Sequence, residues 1–207
     1  LLKTIPAIYL ASASPRRHQI LMQMDVPHDV LDVPTPPGDD EPRLEGEAPH
    51  LYVRRTAREK AERAVAWLAA QQKAGATDTA LPPRAILAAD TTVILRNDIL
   101  GKPADLAEAR DMLGRLSGRL HSVHTAVVLA DGDRLLEDVS ITEVRFKKLT
   151  DGEIDAYCRS GEPLGKAGAY GIQGKAALFI QYISGSYTGV MGLPVFETGR
   201  LLETLAR

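Results

Sequence analysis

Ala85-Ile86-Leu87-Ala88-Ala89-Asp90-Thr91-Thr92-Val93-Ile94-Leu95 is apolar except for one acid and two threonines. The apolar residues on either side predict two buried strands, 85–89 and 92–95, flanking Asp90-Thr91. If the backbone stays extended through that pair, Asp90 shares a face with Ile86 and Ala88. An ionised acid on such a face is costly unless a cation, hydrogen-bond donors or water satisfy it. Two readings stand side by side: an aspartate bonded to nearby backbone at a turn or strand end, and a catalytic carboxylate.

Outward from this stretch, helices and strands alternate without a fixed rhythm. Ile8–Ala11 reads as a buried strand, and Pro15 to Met24 as a helix with Ile20, Leu21 and Met24 inward. His28–Val33 reads as a second strand, and Pro34 to Pro49 as a long loop rich in Pro, Gly and acids. Pro49 suits the first position of a helix running to about Gln72, with Val53, Ala57, Ala61, Ala64 and Leu68 as its apolar stripe. A polar stretch, Lys73 to Pro83, closes this unit.

Downstream, a turn is predicted at Asn97-Asp98 and a capping box at Asp105–Glu108. That box opens a helix to Leu116 with Leu106, Ala109, Met112, Leu113 and Leu116 on one face. Ser122–Ala130 and Ser140–Phe146 read as strands joined through Asp131-Gly132-Asp133. Thr150–Glu153 is a second capping box, starting a short helix that ends at Gly161. Strands around Ala177–Ile183 and a helix from Val195 complete the expectation of an α/β fold with a mixed sheet.

A chain of 207 residues, 44% hydrophobic and 25% charged, suits one globular domain over residues 1–207, of one lobe or two. Its net charge of −2 gives no global field for gripping nucleic acid, so an anion-binding patch must be local. The single cysteine, Cys158, excludes an internal disulfide and a multi-thiolate zinc site, and its helical spacing from Ile154 and Tyr157 predicts a core thiol. No apolar run approaches the ~20 residues of a membrane span. Ile5–Ala13 has the small residues of a signal peptide, but only Lys3 precedes it and Pro6 interrupts it, so a reducing cytoplasm is expected. The chain opens on Leu1 rather than Met, as expected of one trimmed or short of a few residues.

Several residues carry chemistry. Ser12-Ala13-Ser14-Pro15-Arg16-Arg17 follows a strand and opens a helix, placing hydroxyls and guanidinium groups beside free backbone N–H donors, as polyphosphate binding requires. Exposed basic pairs are common, but arginines are unfavourable beside the positive helix end unless an anion is present. Lys60 has no carboxylate at i±3 or i±4 and lies along the apolar face of its helix, so it either snorkels or points into a cleft toward an anion. Lys102, between Gly101 and Pro103, is either a held ligand group or a turn residue. Lys166 to Gly174 is studded with glycines, which suits close approach to a flat ligand or a mobile loop. Gln173 is its most useful side chain, since one amide can accept from N3–H and donate to a carbonyl of uracil or thymine. No Walker A loop and no G-x-G-x-x-G occurs, and serine-hydrolase and zinc-protease signatures are also missing.

Taken in order, Ser12-x-Ser14-Pro15-Arg16-Arg17, Arg58-Glu59-Lys60-Ala61, Ala89-Asp90-Thr91, Gly101-Lys102-Pro103, Ser117-Gly118, Gly161-Glu162-Pro163, Lys166 to Gly174 and Gly185 to Pro194 resemble the Maf family over nearly the whole chain. These are nucleoside triphosphate pyrophosphatases, also described as septum-formation inhibitors. The resemblance implies an elongated mixed β-sheet with flanking helices, two lobes around a central cleft, and a homodimer. It implies that Asp90 is the general base, that Ser12, Arg16, Arg17, Lys60 and Lys102 bind phosphate, and that Arg16, Thr91 and Gln173 take part in substrate choice. The Tyr-Gly-Ile-Gln-Gly form resembles the branch acting on dTTP and UTP rather than 7-methyl-GTP. The implied reaction is metal-assisted attack of water on the α-phosphorus, with Mg²⁺ or Mn²⁺ as cofactor. The family's early acidic pair is replaced here by Pro34–Glu41, so Asp39, Asp40 and Glu41 are all open as metal-holding acids. Two alternatives remain at this level: the same chemistry on 7-methyl-GTP or a non-standard nucleotide, and a non-catalytic regulator of division that binds nucleotide or nucleic acid.

Overall fold

Pairing along one strand decides what the rest of the sheet does. The computed structural model describes residues 4–36, 41–74 and 81–206, and in it Ile86–Leu95 is one continuous strand, β3, rather than two. Its preceding elements are β1 (Ile8–Leu10), α1 (Pro15–Gln23), β2 (His28–Val30) and α2 (Pro49–Ala74). The strand does not break at Asp90-Thr91 because β5 (Leu120–Asp131) pairs antiparallel with every residue from Ile86 to Ile94, and threonine suits extended backbone. With β6 (Arg134–Phe146) and β7 (Ile180–Ser184), the full sheet has 7 strands in the order β2-β1-β3-β5-β6-β7, and β4 (Asp98–Leu100) also pairs with β3. β1 runs parallel to β2 and β3, while the other pairs are antiparallel, which gives the mixed α/β sheet with flanking helices.

The edge of β3 opposite β5 is covered at its two ends only. β1 pairs with Ile86 and Leu87, and β4 pairs with Val93, Ile94 and Leu95. Among the described residues no strand pairs with Ala88–Thr92 on this edge. Asp90 sits in the middle of that opening.

α2 packs across β3 and β5 through the predicted stripe: Val53, Ala57, Ala61 and Ala64 are all 0% exposed. Val53, Ala57 and Ala61 cluster with Ala88, Ala126 and Val128 from the sheet, and Ala64 with Ile86 and Ala130. Small side chains on both surfaces let the helix approach closely, so that functional groups on α2 reach the strand beneath. Helices α3 (Leu106–Leu116) and α4 (Asp151–Arg159) pack over the other part of the sheet, with Cys158 buried as expected. β6 (Arg134–Phe146) completes the hairpin with β5 around Gly132-Asp133, where Gly132 has φ +59.

Several local expectations change. The turn before β4 is Arg96-Asn97, with Asp98 already in the strand. Leu106 is 42% exposed rather than inward, because it occupies the first position of α3 where the chain arrives from solvent. Asp105 caps α3 by accepting from the Glu108 N–H, but the Glu108 carboxylate accepts from Ala104 rather than from Asp105, so the box is not reciprocal. At Thr150 and Glu153 both halves are present. Residues Lys175–Phe179 form a 3₁₀ helix, and only then does β7 (Ile180–Ser184) begin. A short helix, α5 (Tyr187–Met191), precedes the expected last helix, α6 (Val195–Glu203). No helix among the described residues is long and apolar enough to cross a membrane.

The close contact between α2 and the sheet yields a test. Ala57→Leu adds volume where none is free and is expected to cost about 1–3 kcal/mol. Urea unfolding measures it, and an unchanged midpoint would show that the helix does not sit tightly on β3 and β5.

Candidate active site

The opening beside Ala88–Thr92 leads into a cleft of about 520 Å³. Ser12, Arg16, Arg17, Lys60, Asp90, Thr91, Lys102 and Gln173 all line it, although they come from α1, α2, β3 and three loops. The walls carry Arg16, Arg17, Lys60, Arg63, Lys102 and Lys166 against Asp32, Glu41 and Asp90. A chain of net charge −2 therefore concentrates positive charge in one concave place.

Asp90 is 4% exposed and lies on the face of β3 that α2 covers. Its Oδ1 accepts from Lys60 Nζ at 2.6 Å, and its Oδ2 accepts from the Thr92 hydroxyl at 3.2 Å. Lys60 thus does not snorkel, and it finds across the interface the carboxylate that its own helix does not place at i±3 or i±4. Burial pushes the Asp90 pKa up, but the charge and hydrogen bond of Lys60, aided by Arg17, outweigh that and hold it below the ordinary 3.8. Asp90 is accordingly ionised at neutral pH.

Lys60 also pairs with Glu41, whose Oε1 is 3.8 Å from Lys102 Nζ. The Tyr52 hydroxyl on α2 donates to the Glu41 carbonyl at 2.9 Å and so ties this acid to the helix. Of the acids left open in the Pro34–Glu41 loop, Glu41 reaches the cleft, while Asp39 and Asp40 lie outside the described residues.

The arginines face the opposite wall. Arg17 Nε donates to the Gly192 carbonyl at 2.7 Å, Nη1 to Ser12 Oγ at 3.0 Å, and Nη2 to Thr91 Oγ1 at 3.3 Å. Arg16 Nε donates to the Met191 carbonyl at 3.2 Å. Carbonyl groups at the end of α5 thus offset the clash between guanidinium charge and the start of α1, which the sequence alone assigned to a ligand. Burial lowers the pKa of both arginines from the ordinary value.

Behind them runs a polar relay. The Thr125 hydroxyl donates to the Gly189 carbonyl at 2.7 Å and lies 3.0 Å from Thr91 Oγ1. Because Thr125 spends its proton on Gly189, Thr91 donates to Thr125 and offers the cleft only lone pairs. Thr125, Lys166 and the Met191 and Gly192 carbonyls were not identified from sequence. Lys166, Met191 and Gly192 lay within motifs already singled out, whereas Thr125 has no local signal.

Among the described residues no group of three or more His, Cys, Asp or Glu gathers as a metal cage. Asp90 and Glu41 nevertheless bring carboxylate oxygens to the same ammonium, and hard oxygen donors are what Mg²⁺ or Mn²⁺ take.

The ion pair makes a pH-dependent prediction. A carboxyl with a depressed folded pKa contributes stability above its unfolded value and loses it as the pH falls through the folded one. Lys60→Met is expected to destabilise by at most about 3–5 kcal/mol at neutral pH. That deficit should shrink on acidification, when Asp90 takes up a proton. Urea unfolding at pH 7 and again below the ordinary value of 3.8, at about pH 3, checks it, and a deficit that acid leaves unchanged would exclude the pair as its source.

Residues 7–205 match the family described as Maf-like protein. The chain is 59% identical over 199 residues to the dTTP/UTP pyrophosphatase of Bordetella pertussis, covering 96% of this chain and 92% of that one. It is 48% identical over 211 residues to the dTTP/UTP pyrophosphatase of Aromatoleum aromaticum, covering 95% and 94%. With that of Pectobacterium atrosepticum it shares 47% over 199 residues, covering 96% and 93%. A match of this length, running through every segment that lines the cleft, shows that the chain belongs to the Maf family.

Proposed function

We propose that this chain is a nucleoside triphosphate pyrophosphatase that hydrolyses dTTP and UTP to the monophosphate and pyrophosphate. The observation that carries this reading is a buried, ionised carboxylate, Asp90, opening onto the same cleft as Arg16, Arg17, Lys60 and Lys102. The relatives' names supply the nucleotides. The same reading takes residues 1–207 as one domain on length and composition, working in the cytoplasm because Ile5–Ala13 fits a signal peptide poorly, and as a homodimer on the strength of the family resemblance.

Asp90 orients a water molecule and accepts its proton as the oxygen attacks the α-phosphorus, breaking the bond to the β-phosphate bridge. Its low pKa keeps it in the ionised form this role needs. Arg16, Arg17, Lys60 and Lys102 neutralise the polyphosphate, with charge-assisted hydrogen bonds worth roughly 1.5–3 kcal/mol each. Arg16 and Arg17 are already aimed by the α5 carbonyls, so little orientation is lost on binding. Ser12 adds a hydroxyl to the phosphate wall. Glu41 and Asp90 are the carboxylates that would hold a divalent cation, which would offset charge on the triphosphate. Gln173, which also lines the cleft, meets the base, and Thr91, limited to accepting, suits a donor on the nucleoside.

Asp90→Asn preserves size and polarity while removing the base. Pyrophosphate release from UTP and dTTP is expected to fall about 10²–10⁴-fold with the fold retained. A folded variant that releases pyrophosphate at the wild-type rate would overturn the assignment.

A further inference from the structure

An amide turned end for end exchanges its donor and its acceptor. Uracil and thymine present a carbonyl at position 4 beside N3–H, whereas cytosine presents an amino group beside a bare N3. Gln173 by itself therefore accommodates either pattern. Preference for the keto pyrimidines needs a neighbour whose hydrogen-bonding polarity cannot be reversed.

Lys166 is such a neighbour. It lines the cleft, and an ammonium donates without ever accepting. Gly171 lies between it and Gln173. A Cβ built there would stand 3.1 Å from Lys166 Cε and 3.6 Å from Gln173 Oε1, so the two polar side chains flank a single glycine.

Both are held by one residue. Lys166 Nζ donates to the Glu162 carbonyl, which fixes the ammonium and leaves its other N–H groups for a ligand. The Glu162 carboxylate accepts from the Tyr157 hydroxyl at 3.0 Å and from the Lys175 N–H at 3.0 Å. The Tyr157 oxygen accepts in turn from the Gly171 N–H at 3.2 Å. The turn from Gly171 to Lys175, which carries Gln173, is thus gripped at both ends. Gly174 permits this, since any side chain there would strike the Glu162 carboxylate.

We propose that Lys166 is a specificity-determining residue that admits uracil and thymine and turns cytosine away, by offering only N–H donors beside Gln173. Cytosine in that place sets its amino group against the ammonium, donor against donor, so that the amino group and the ammonium N–H groups not bonded to Glu162 gain no acceptor from each other. This inference rests on the functional reading above, in which Gln173 meets the base.

Binding of UMP and CMP, followed by calorimetry, isolates recognition of the base from that of the β- and γ-phosphates. Wild-type protein is expected to favour UMP, and K166M to narrow the UMP-to-CMP affinity ratio about 10-fold or more. In turnover, K166M raises KM for UTP more than it lowers kcat. K166R keeps a donor-only group and keeps the preference. If K166M does not fold by thermal melting, K166Q carries the test, because its reversible amide also narrows the ratio. Equal weakening of UMP and CMP in the lysine variant would make Lys166 a phosphate ligand and overturn the proposal, as would wild-type protein that binds the two alike. Failure of wild-type protein to release pyrophosphate from UTP or dTTP would instead overturn the functional reading.

Discussion

A carboxylate placed mid-strand beneath a helix must have its charge answered, and much of this structure follows from how that is done. Removing an acid such as Asp90 from water costs several kcal/mol unless cations and donors replace the solvent. Lys60 reaches it because α2 lies close to β3, and α2 lies close because Ala57, Ala61, Ala64, Ala88 and Ala126 leave no bulk between them. The alanine stripe and the ion pair are one arrangement seen from two sides. The gap in strand pairing along Ala88–Thr92 then exposes the carboxylate to the cleft rather than sealing it in the core.

The opposite wall answers a second electrostatic problem by a different route. Guanidinium groups at the start of α1 meet its unpaired N–H groups, and the end of α5 supplies the compensating carbonyls. Thr91 and Thr125 extend that contact into a directed chain of hydrogen bonds ending at Gly189. Acid and arginines thus occupy opposite faces of β3 and meet only where its edge is bare.

The sequence made the periodic features legible. The stripe of α2, the face of β3 shared by Asp90, Ile86 and Ala88, and the Thr150 capping box all follow from local spacing. So did the residues of the cleft, since the loop at Ser12–Arg17, the isolated Lys60 and the acid at position 90 each break a local rule. The continuity of β3 was missed because Asp90-Thr91-Thr92 reads as polar punctuation, while the pairing with β5 that keeps it extended comes from residues 122–130. Lys175–Phe179 has the apolar content of a strand, but the grip of Glu162 on Lys175 turns it into a 3₁₀ helix first. Thr125 follows His121, Ser122 and His124 in β5, and nothing in that run marks which hydroxyl orients another.

The carbonyl hook at Met191 and Gly192 stands 175 positions from the arginines it holds. During translation α1 leaves the ribosome early, and its guanidinium groups emerge long before the segment that aims them has been made. The acid wall, built from α2 and β3, is finished much sooner. A nascent chain therefore carries one half of the cleft without the other, and the whole comes together only as synthesis approaches its end.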